Sequence, residues 1–362
     1  MSKTILRKIK NWCFPNMPVQ PFIKIILDDT DATLCDVGAA KWLLPHWQVV
    51  EGAVDLYLVE PCQESLNELQ TIINTKPNPA RYHLLPYALS GQGGERTLYV
   101  TNCETGTSII PIEQQLSPET ERYVLPEYFY PVKEQIIETH SFESVINKQI
   151  PKGIDFLKLD TQKSELEILS GLSEDKVKGL SSLELEINLF HQENGQSLLE
   201  KTIQFSRQHD MILYDLRTAR LHLPHKQDRS YYQKEVFNVV ENCPYISGHI
   251  HEVDAIFFPN QKTLIGNRDK KRIQKLIVAY AVYHFFSEAY ALTQEAQSKG
   301  ILSESESANT KAALQGWFKA KCPRFIYSQG PMARVSRQFL RRLKLDPTLS
   351  WARHLWVCPP NA

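Results

Sequence analysis

Short apolar runs alternate with segments of helical periodicity from residue 33 to residue 260. Apolar runs of roughly four to eight residues are typical of buried strands, whereas apolar residues three and four positions apart are typical of amphipathic helices. The runs predict strands at Leu34–Gly38, Leu56–Val59, His83–Ser90, Thr97–Thr101, Ile154–Asp160, Leu183–Ile187, Met211–Leu223 and Val253–Phe258. Strands that alternate with helices favour a mostly parallel sheet with helices on both faces, which predicts an α/β fold.

Helical periodicity follows several of these runs and continues after the last of them. It is strongest from Arg272 to Gln294. The Ser- and Glu-rich stretch Ser298–Asn309 is typical of a linker, and the proline-containing stretch Glu104–Pro131 is typical of a long loop. We therefore predict a basic N-terminal segment (1–30), a Rossmann-like domain (31–260) and a helical, basic C-terminal extension (261–362).

Three acidic residues lie where predicted strands end. Asp36 precedes Gly38 in the first run, Glu60 follows the second run, and Asp160 ends a later one. Capping of the next helix would explain each acid taken alone. Ligands of open α/β sheets bind at the carboxyl edge of the parallel strands, so three such acids favour a cofactor site. Glu60 is suited to accept hydrogen bonds from both hydroxyls of a ribose, and Gly38 allows close approach of a ligand.

The glycine content of the first turn decides which cofactor fits. NAD and FAD need several glycines where a helix N-terminus meets the pyrophosphate. After Gly38 this turn has no further glycine until Gly52, which disfavours a dinucleotide. The sequence contains no GxxxxGK[ST] motif, so a P-loop nucleotide site is excluded. S-adenosylmethionine carries an adenosine without phosphates and fits a loop with one close backbone approach.

Charge and cysteine content exclude other classes of protein. Lys and Arg number 41, as do Asp and Glu, so the formal net charge is zero and no overall field attracts nucleic acid. The seven cysteines are scattered without CxxC spacing, which disfavours a disulfide framework and a structural zinc site. The N-terminal stretch lacks the apolar region of a signal peptide. Together these features predict a cytoplasmic protein.

Several sequence blocks resemble the FkbM-type, S-adenosylmethionine-dependent methyltransferases. The matching blocks are Asp36–Ala39, Pro45, Trp47, Val59–Pro61, Ala88–Ser90, Asp155–Gln162, Ser164–Leu169, Leu183–Glu186 and Val253–Phe257. The block that begins at Asp155 is the most specific of them. The resemblance implies a Rossmann-like class I methyltransferase sheet with helices on both faces. It also implies methyl transfer, usually to a hydroxyl of a sugar, glycan or related natural product.

The chain departs from this family at three positions. Lys41 and Trp42 stand where the family usually has one or two glycines, and Lys163 stands where it has another. We expect Lys41 and Trp42 to put bulk beside the amino-acid end of the cofactor, and Lys163 to lie near the substrate. Either these are tolerated changes in a loop, or the pocket is reshaped. The alternative function is therefore a degenerate methyltransferase fold that acts as a non-catalytic binding or targeting protein.

The resemblance and the strand ends together predict which residues hold the cofactor. We expect the methionine side of S-adenosylmethionine near Asp36, Gly38 and Ala39, the ribose at Glu60, and the adenine beside Tyr87 and Ala88.

Transfer of a methyl group to a hydroxyl also needs a general base within hydrogen-bond reach. The candidates are Asp160, Glu186 and His191, because each lies at or just after the end of a predicted strand. A histidine titrates near neutral pH and suits this role, although an ordinary loop histidine explains His191 equally simply. Glu184 and Glu186 point to one face of their strand, so a divalent metal shared with Asp160 is an alternative that no ligand spacing supports.

Both ends of the chain are basic and suggest a partner. An amphipathic segment at Ile5–Trp12 and an apolar stripe with flanking arginines between Val335 and Lys344 resemble helices that contact anionic lipid. Ordinary terminal helices explain the same patterns. We predict a small-molecule or glycan acceptor as substrate, no nucleic-acid partner, and peripheral contact with an anionic membrane through the termini.

Overall fold

A computed structural model describes residues 18–40, 42–102, 106–111, 131–189, 199–221, 236, 238 and 249–321. The strands are β1 Thr33–Val37, β2 Asp55–Val59, β3 Tyr82–Leu85, β4 Ala88–Ser90, β5 Gly93–Thr101, β6 Pro131–Ser141, β7 Phe156–Leu159, β8 Ser182–Asn188, β9 Met211–Leu221 and β10 His249–Pro259. The helices are α1 Gln20–Leu27, α2 Gln63–Asn74, α3 Phe142–Gln149, α4 Glu165–Ser170, α5 Glu174–Gly179, α6 Leu199–Gln208, α7 Gln261–Gly266, α8 Lys270–Val282, α9 Phe286–Ser298 and α10 Glu304–Lys321.

The chain forms two compact units that interleave along the sequence. The sheet unit comprises Asp31–Leu43 and Val54–Ala279, and the helical unit comprises Met1–Thr30, Leu44–Ala53 and Tyr280–Ala362. Each domain predicted from the sequence is one continuous range, whereas each of these units combines separate ranges of the chain.

A parallel-rich sheet is the centre of the sheet unit and confirms the predicted α/β class. Among the described residues, seven strands have the order β3-β2-β1-β7-β8-β10-β9. Strands β3, β2, β1, β7 and β8 are parallel, whereas β10 is antiparallel to both of its neighbours. The strand order reverses direction between β1 and β7. This reversal is the topological switch point, where open α/β sheets bind their ligands.

Burial explains why the apolar runs form these strands. Every residue of β1 and of β7 is buried, as expected for parallel strands covered on both faces. Helix α2 places Leu66, Leu69 and Ile73 on its buried face, as their spacing predicts. The sheet unit is thus a layered core whose carboxyl edge carries the predicted acids.

The predicted third strand is divided in the structure. His83–Ser90 was expected to be one strand, but β3 ends at Leu85 and β4 begins at Ala88, in a different sheet. Pro86 lies at the break, and proline cannot donate a hydrogen bond to a neighbouring strand. The second sheet has the order β4-β6-β5, with β5 and β6 antiparallel.

The C-terminal helices confirm one prediction made from the sequence and correct another. Helical periodicity was expected to be strongest from Arg272 to Gln294, and this range forms two helices, α8 and α9, because His284 adopts a left-handed conformation (φ +69°) that ends the first. The expected linker Ser298–Asn309 instead contains the first turns of α10. The Ser303 hydroxyl accepts from the Glu306 N–H, and the Glu306 carboxylate accepts from the Ser303 N–H, at 3.2 and 2.7 Å. This capping box starts the helix.

No helix among the described ranges has both the length and the apolar character needed to cross a bilayer. The basic segments Ile5–Trp12 and Val335–Lys344 lie outside the described residues. Contact between these segments and a membrane stays a prediction, as does the cytoplasmic location.

Candidate active site

Gly38 brings the turn after β1 against the end of β7. Its φ is +82°, in the left-handed region that favours glycine. A Cβ at this position would overlap the backbone carbonyl of Asp160. The N–H groups of Gly38 and Ala39 both donate to the carbonyl of Val59, at 3.0 and 3.2 Å. From the sequence, Gly38 was expected to allow the close approach of a ligand. In the structure, it also allows the turn after β1 to approach the backbone of Asp160.

Glu60 lies at the end of β2 with its side chain almost fully buried. It is 5% exposed, and one carboxylate oxygen accepts the N–H of Cys62 at 2.8 Å. Burial raises the pKa of Glu60, and the hydrogen bond from Cys62 opposes that rise. A buried carboxylate at this edge suits the predicted recognition of a ribose.

Tyr87 and Ala88 follow β3 on the same side of the switch point as Glu60. The Tyr87 ring packs edge-on against His140, with 4.9 Å between centroids, and its hydroxyl accepts from Gln149 Nε2 at 3.0 Å. Ala88 is the first residue of β4. These contacts fix the position of the tyrosine, and a role of Tyr87 and Ala88 at an adenine stays a prediction.

A buried lysine joins two of the acids across the switch point. Lys158 is paired in register with Asp36 between β7 and β1. Its Nζ lies 3.2 Å from Asp36 Oδ1 and 3.1 Å from Asp160 Oδ2. Burial opposes the charge of Lys158, but Asp36, Asp160 and Glu184 outweigh it, so the pKa of Lys158 lies above its ordinary value. Burial raises the pKa of Asp36, and Lys158 opposes that rise.

Further acids continue this charged face across the neighbouring strands. Glu184 is in register with Lys158, and Glu186 is in register with Asp254 on β10. Residues two apart on a strand share a face, so Glu184 and Glu186 of β8 lie on one face, beside Lys158 and the Asp160 that follows β7. Burial, together with the charges of Glu184 and Asp160, raises the pKa of Asp254 to about 7. Asp254 is therefore a carboxyl that exchanges its proton near neutral pH.

The side chain of Gln162 bridges two of the predicted catalytic residues. Its Nε2 donates to Glu186 Oε2 at 2.9 Å and to Asp160 Oδ1 at 3.4 Å. Its backbone carbonyl accepts the Ser108 hydroxyl at 2.6 Å. The structure thus brings Asp160 and Glu186 together. The third candidate, His191, lies outside the described residues.

The carboxylate of Glu165 holds the loop that carries Gln162. Glu165 is fully buried, and its Oε1 accepts the N–H groups of Thr161 and Lys163 at 2.7 and 3.1 Å. Gln162 and Lys163 both have positive φ, +56° and +85°. This conformation explains why the resembled family has a glycine where this chain has Lys163, because a left-handed conformation costs a residue with a Cβ about 1–2 kcal/mol.

Replacing Lys163 by glycine is expected to stabilise the protein. Relief of the strain at φ +85° should raise the free energy of unfolding by about 1 kcal/mol, because the gain exceeds the entropy lost with glycine. Chemical denaturation of Lys163→Gly measures the change. The control is Lys163→Ala, which keeps a Cβ and should show no such gain. Equal stability of Lys163→Gly and Lys163→Ala would contradict the assignment of strain.

Trp42 contacts a residue at the start of β3, whereas Glu60 lies beside the end of that strand. Its ring centroid lies 5.7 Å from that of Tyr82, the first residue of β3, and Lys76 Nζ lies 4.2 Å from the centroid of the indole. A cation over an aromatic face is a favourable contact. The expectation that Trp42 adds bulk beside the cofactor is therefore not supported by the contacts of its ring. Lys41 lies outside the described residues.

The described side chains include no group of three or more His, Cys, Asp or Glu that is placed to hold a metal ion. The metal alternative for Asp160, Glu184 and Glu186 thus gains no support from the geometry.

Three residues of this site were not identified as functional from the sequence. Lys158 and Asp254 are charged residues within apolar strands, and lysine and aspartate are seldom buried unless they are paired. That pattern was visible in the sequence and is the signal that would have identified them. Gln162 gives no comparable signal, because its role depends on a loop conformation that brings it between two strands.

The strand order and its switch point define a Rossmann-like fold. Residues 36–213 match the family model of the methyltransferase FkbM domain, which confirms the resemblance found in the sequence. The chain therefore carries a methyltransferase domain of the FkbM family.

The chain is also similar to solved structures at low identity. The chain is similar to methyltransferase FkbM from Methylobacillus flagellatus KT, with 13% identity and a TM-score of 0.32 over 67% of this chain. It covers 48% of that chain, so it spans about half the length of the Methylobacillus protein. It is also similar to M. capricolum TrmK in complex with S-adenosyl-homocysteine, with 10% identity and a TM-score of 0.31 over 83% of this chain and 97% of that one. No curated protein matches the chain.

Proposed function

We propose that the protein is an S-adenosylmethionine-dependent methyltransferase that transfers a methyl group to a hydroxyl of a sugar or glycan. The observation that carries the proposal is the set of acids at the switch point of the sheet, within a methyltransferase FkbM domain. Asp36 and Asp160 lie on either side of the switch point and share the ammonium of Lys158. Glu60 lies at the end of the adjacent strand.

The chemistry of the acids fits the cofactor. S-adenosylmethionine has a cationic sulfonium and ammonium at its methionine end and a ribose diol at the other. Carboxylates at Asp36 and Asp160 attract the cationic end, and Glu60 accepts hydrogen bonds from the diol. A cofactor without phosphates needs no glycine-rich pyrophosphate turn, which this chain lacks after Gly38.

The protein must align the two reacting groups and accept a proton. Methyl transfer from a sulfonium is an in-line displacement, and well-oriented reactions gain roughly 7–11 kcal/mol from proximity. Asp160 binds Lys158 and Glu186 binds Gln162, so both carboxylates already hold hydrogen bonds. Asp254, with a pKa of about 7, is better suited to accept the proton of an acceptor hydroxyl at neutral pH.

A hydroxyl-rich acceptor agrees with the surface beside the switch point. Asp160, Glu186 and Asp254 present carboxylate oxygens, which accept hydrogen bonds from sugar hydroxyls and repel phosphate or carboxylate groups. The choice of a sugar or glycan also rests on the family resemblance. The acceptor is therefore proposed as a class of compound.

Calorimetry with S-adenosylmethionine tests the proposal. We expect saturable binding, and transfer of a labelled methyl group to a member of a panel of neutral sugars and glycans. Folded protein that gives no heat at millimolar S-adenosylmethionine would exclude the enzyme and favour the degenerate, non-catalytic alternative. Binding without transfer to any member of the panel would leave the cofactor in place and exclude the proposed acceptor class.

Replacing Glu60 tests the ribose contact separately. Glu60→Ala removes hydrogen bonds to a charged acceptor, so we expect S-adenosylmethionine to bind about 10- to 100-fold more weakly. The matched control is Glu68→Ala on the exposed face of α2, which should bind as the wild type does. If Glu60→Ala binds as tightly as the control, another residue holds the ribose.

A further inference from the structure

Lys158 is a buried cation among several acids, and Arg217 on β9, in register with Asp254, is a second cation near them. Its side chain is 6% exposed, and those of Asp36 and Asp160 are 5% and 33% exposed. Glu184 faces Lys158 from β8 in register and is itself 1% exposed. Asp254 on β10 continues the charged face.

The lysine lowers the pKa of Asp36 against the other groups that surround this carboxyl. Buried carboxyls favour the neutral form, and nearby negative charges strengthen that preference. Both effects act on Asp36, because it is buried and the charges of Asp160 and Glu184 raise its pKa further. Lys158 is the group that opposes them. Without the lysine, the pKa of Asp36 would lie further above its ordinary value, because only the effects that raise it would remain.

The lysine also fixes the two carboxylates in space. Its Nζ binds one oxygen of Asp36 and one oxygen of Asp160, on strands that lie on either side of the switch point. A charged group held by two charged partners has little freedom to turn. The carboxylates are thus arranged before any ligand arrives.

From this geometry we infer that Lys158 is a positioning residue, which holds the carboxylates of Asp36 and Asp160 in the orientation that receives the cationic methionine end of S-adenosylmethionine. The inference rests on the proposed function. It adds that the affinity for the cofactor depends on a lysine that does not itself bind it. The prediction that distinguishes this role from a purely structural one is a change in the pH dependence of binding.

Calorimetric titration with S-adenosylmethionine between pH 6.5 and 9.5 tests the inference. For the wild type, we expect an affinity that changes by less than about threefold, since Lys158 opposes protonation of Asp36. For Lys158→Met, we expect binding about 30-fold weaker at pH 7, because Asp36 and Asp160 lose a charge-assisted partner and Asp36 takes up a proton more readily. Affinity of that variant should recover towards the wild-type value as the pH rises and Asp36 ionises.

Two further variants complete the experiment. Lys158→Arg keeps the charge and should restore binding at pH 7 to within about fivefold of the wild type. Lys152→Met is the control, because Lys152 pairs with Asp31 and Asp55 on the surface and is 51% exposed. This control should bind as the wild type does at every pH.

The outcomes separate the inference from the proposed function. A loss in Lys158→Met that is the same at every pH would show a structural role and overturn the inference, as would unchanged binding. If Lys158→Met does not fold, the double variant Asp36→Asn with Lys158→Met removes both charges of the pair. It should bind weakly and independently of pH, and wild-type affinity in that variant would also overturn the inference. Absence of binding by the wild type would instead refute the proposed function.

Discussion

Replacing Gly38 by alanine is expected to destabilise the protein by about 3–5 kcal/mol, more than we expect from any of the other substitutions. Two costs combine. The residue has a φ of +82°, which is strained for a residue with a Cβ, and the added methyl group would overlap the Asp160 carbonyl. The overlapping atom belongs to the backbone, which cannot turn aside as a flexible side chain would.

Thermal and chemical denaturation of Gly38→Ala measure this effect. Gly153 provides a matched control, because its φ is +75° and a Cβ there would meet nothing within 4 Å. Gly153→Ala should therefore show the cost of strain alone, about 1–2 kcal/mol. If the two variants lose the same stability, the contact between the turn after β1 and Asp160 is looser than described.

The second large effect is a stabilisation that depends on pH. Asp254 has a pKa of about 7 against an ordinary value of 3.8, because it is buried and lies close to the charges of Glu184 and Asp160. The folded state therefore holds this proton more tightly than the unfolded state does. The contribution of Asp254 to stability is fully present below about pH 4 and is lost as the pH rises through about 7.

Asp254→Asn should remove this loss, since asparagine does not titrate. At one pKa unit per 1.4 kcal/mol, the shift sets an upper limit of about 4 kcal/mol, and we expect the variant to gain about 2 kcal/mol over wild type at pH 8.5. At pH 4 the gain should vanish. Asp175→Asn on the exposed face of α5 is the control and should show no such trend. A gain for Asp254→Asn that is constant with pH would show that Asp254 is not neutral in the folded protein.

The sequence predicted which strands the sheet contains better than it predicted the residues at which they begin and end. Apolar runs gave β1, β2, β7, β8 and β10 because full burial leaves a clear hydrophobic signal. The break at Pro86 and the helix Glu304–Lys321 were missed. A proline that ends a strand and a serine that caps a helix act at single positions, and the pattern of apolar residues over a longer stretch does not show their effect.

The candidate site was predicted in part. Asp36, Glu60 and Asp160 follow from the rule that parallel strands place their ends at one edge. The bridge from Lys158 to Asp36 depends on the register between two strands distant in sequence, and the link from Gln162 to Glu186 depends on two residues with positive φ. Such relations arise from tertiary structure and leave no periodic pattern in a single sequence.

The interleaving of the two units has a consequence for biosynthesis. In the helical unit, Phe22 of α1 packs against Gly316 of α10, so the partner of one of its first helices is made almost three hundred residues later. Contacts between such distant segments form late, because closing a long loop costs conformational entropy before these contacts can stabilise the protein. The sheet unit contains every residue of β1 to β10, and all of them precede α10 in the chain. We therefore expect the sheet to begin to assemble during synthesis, before the contact between α1 and α10 can form.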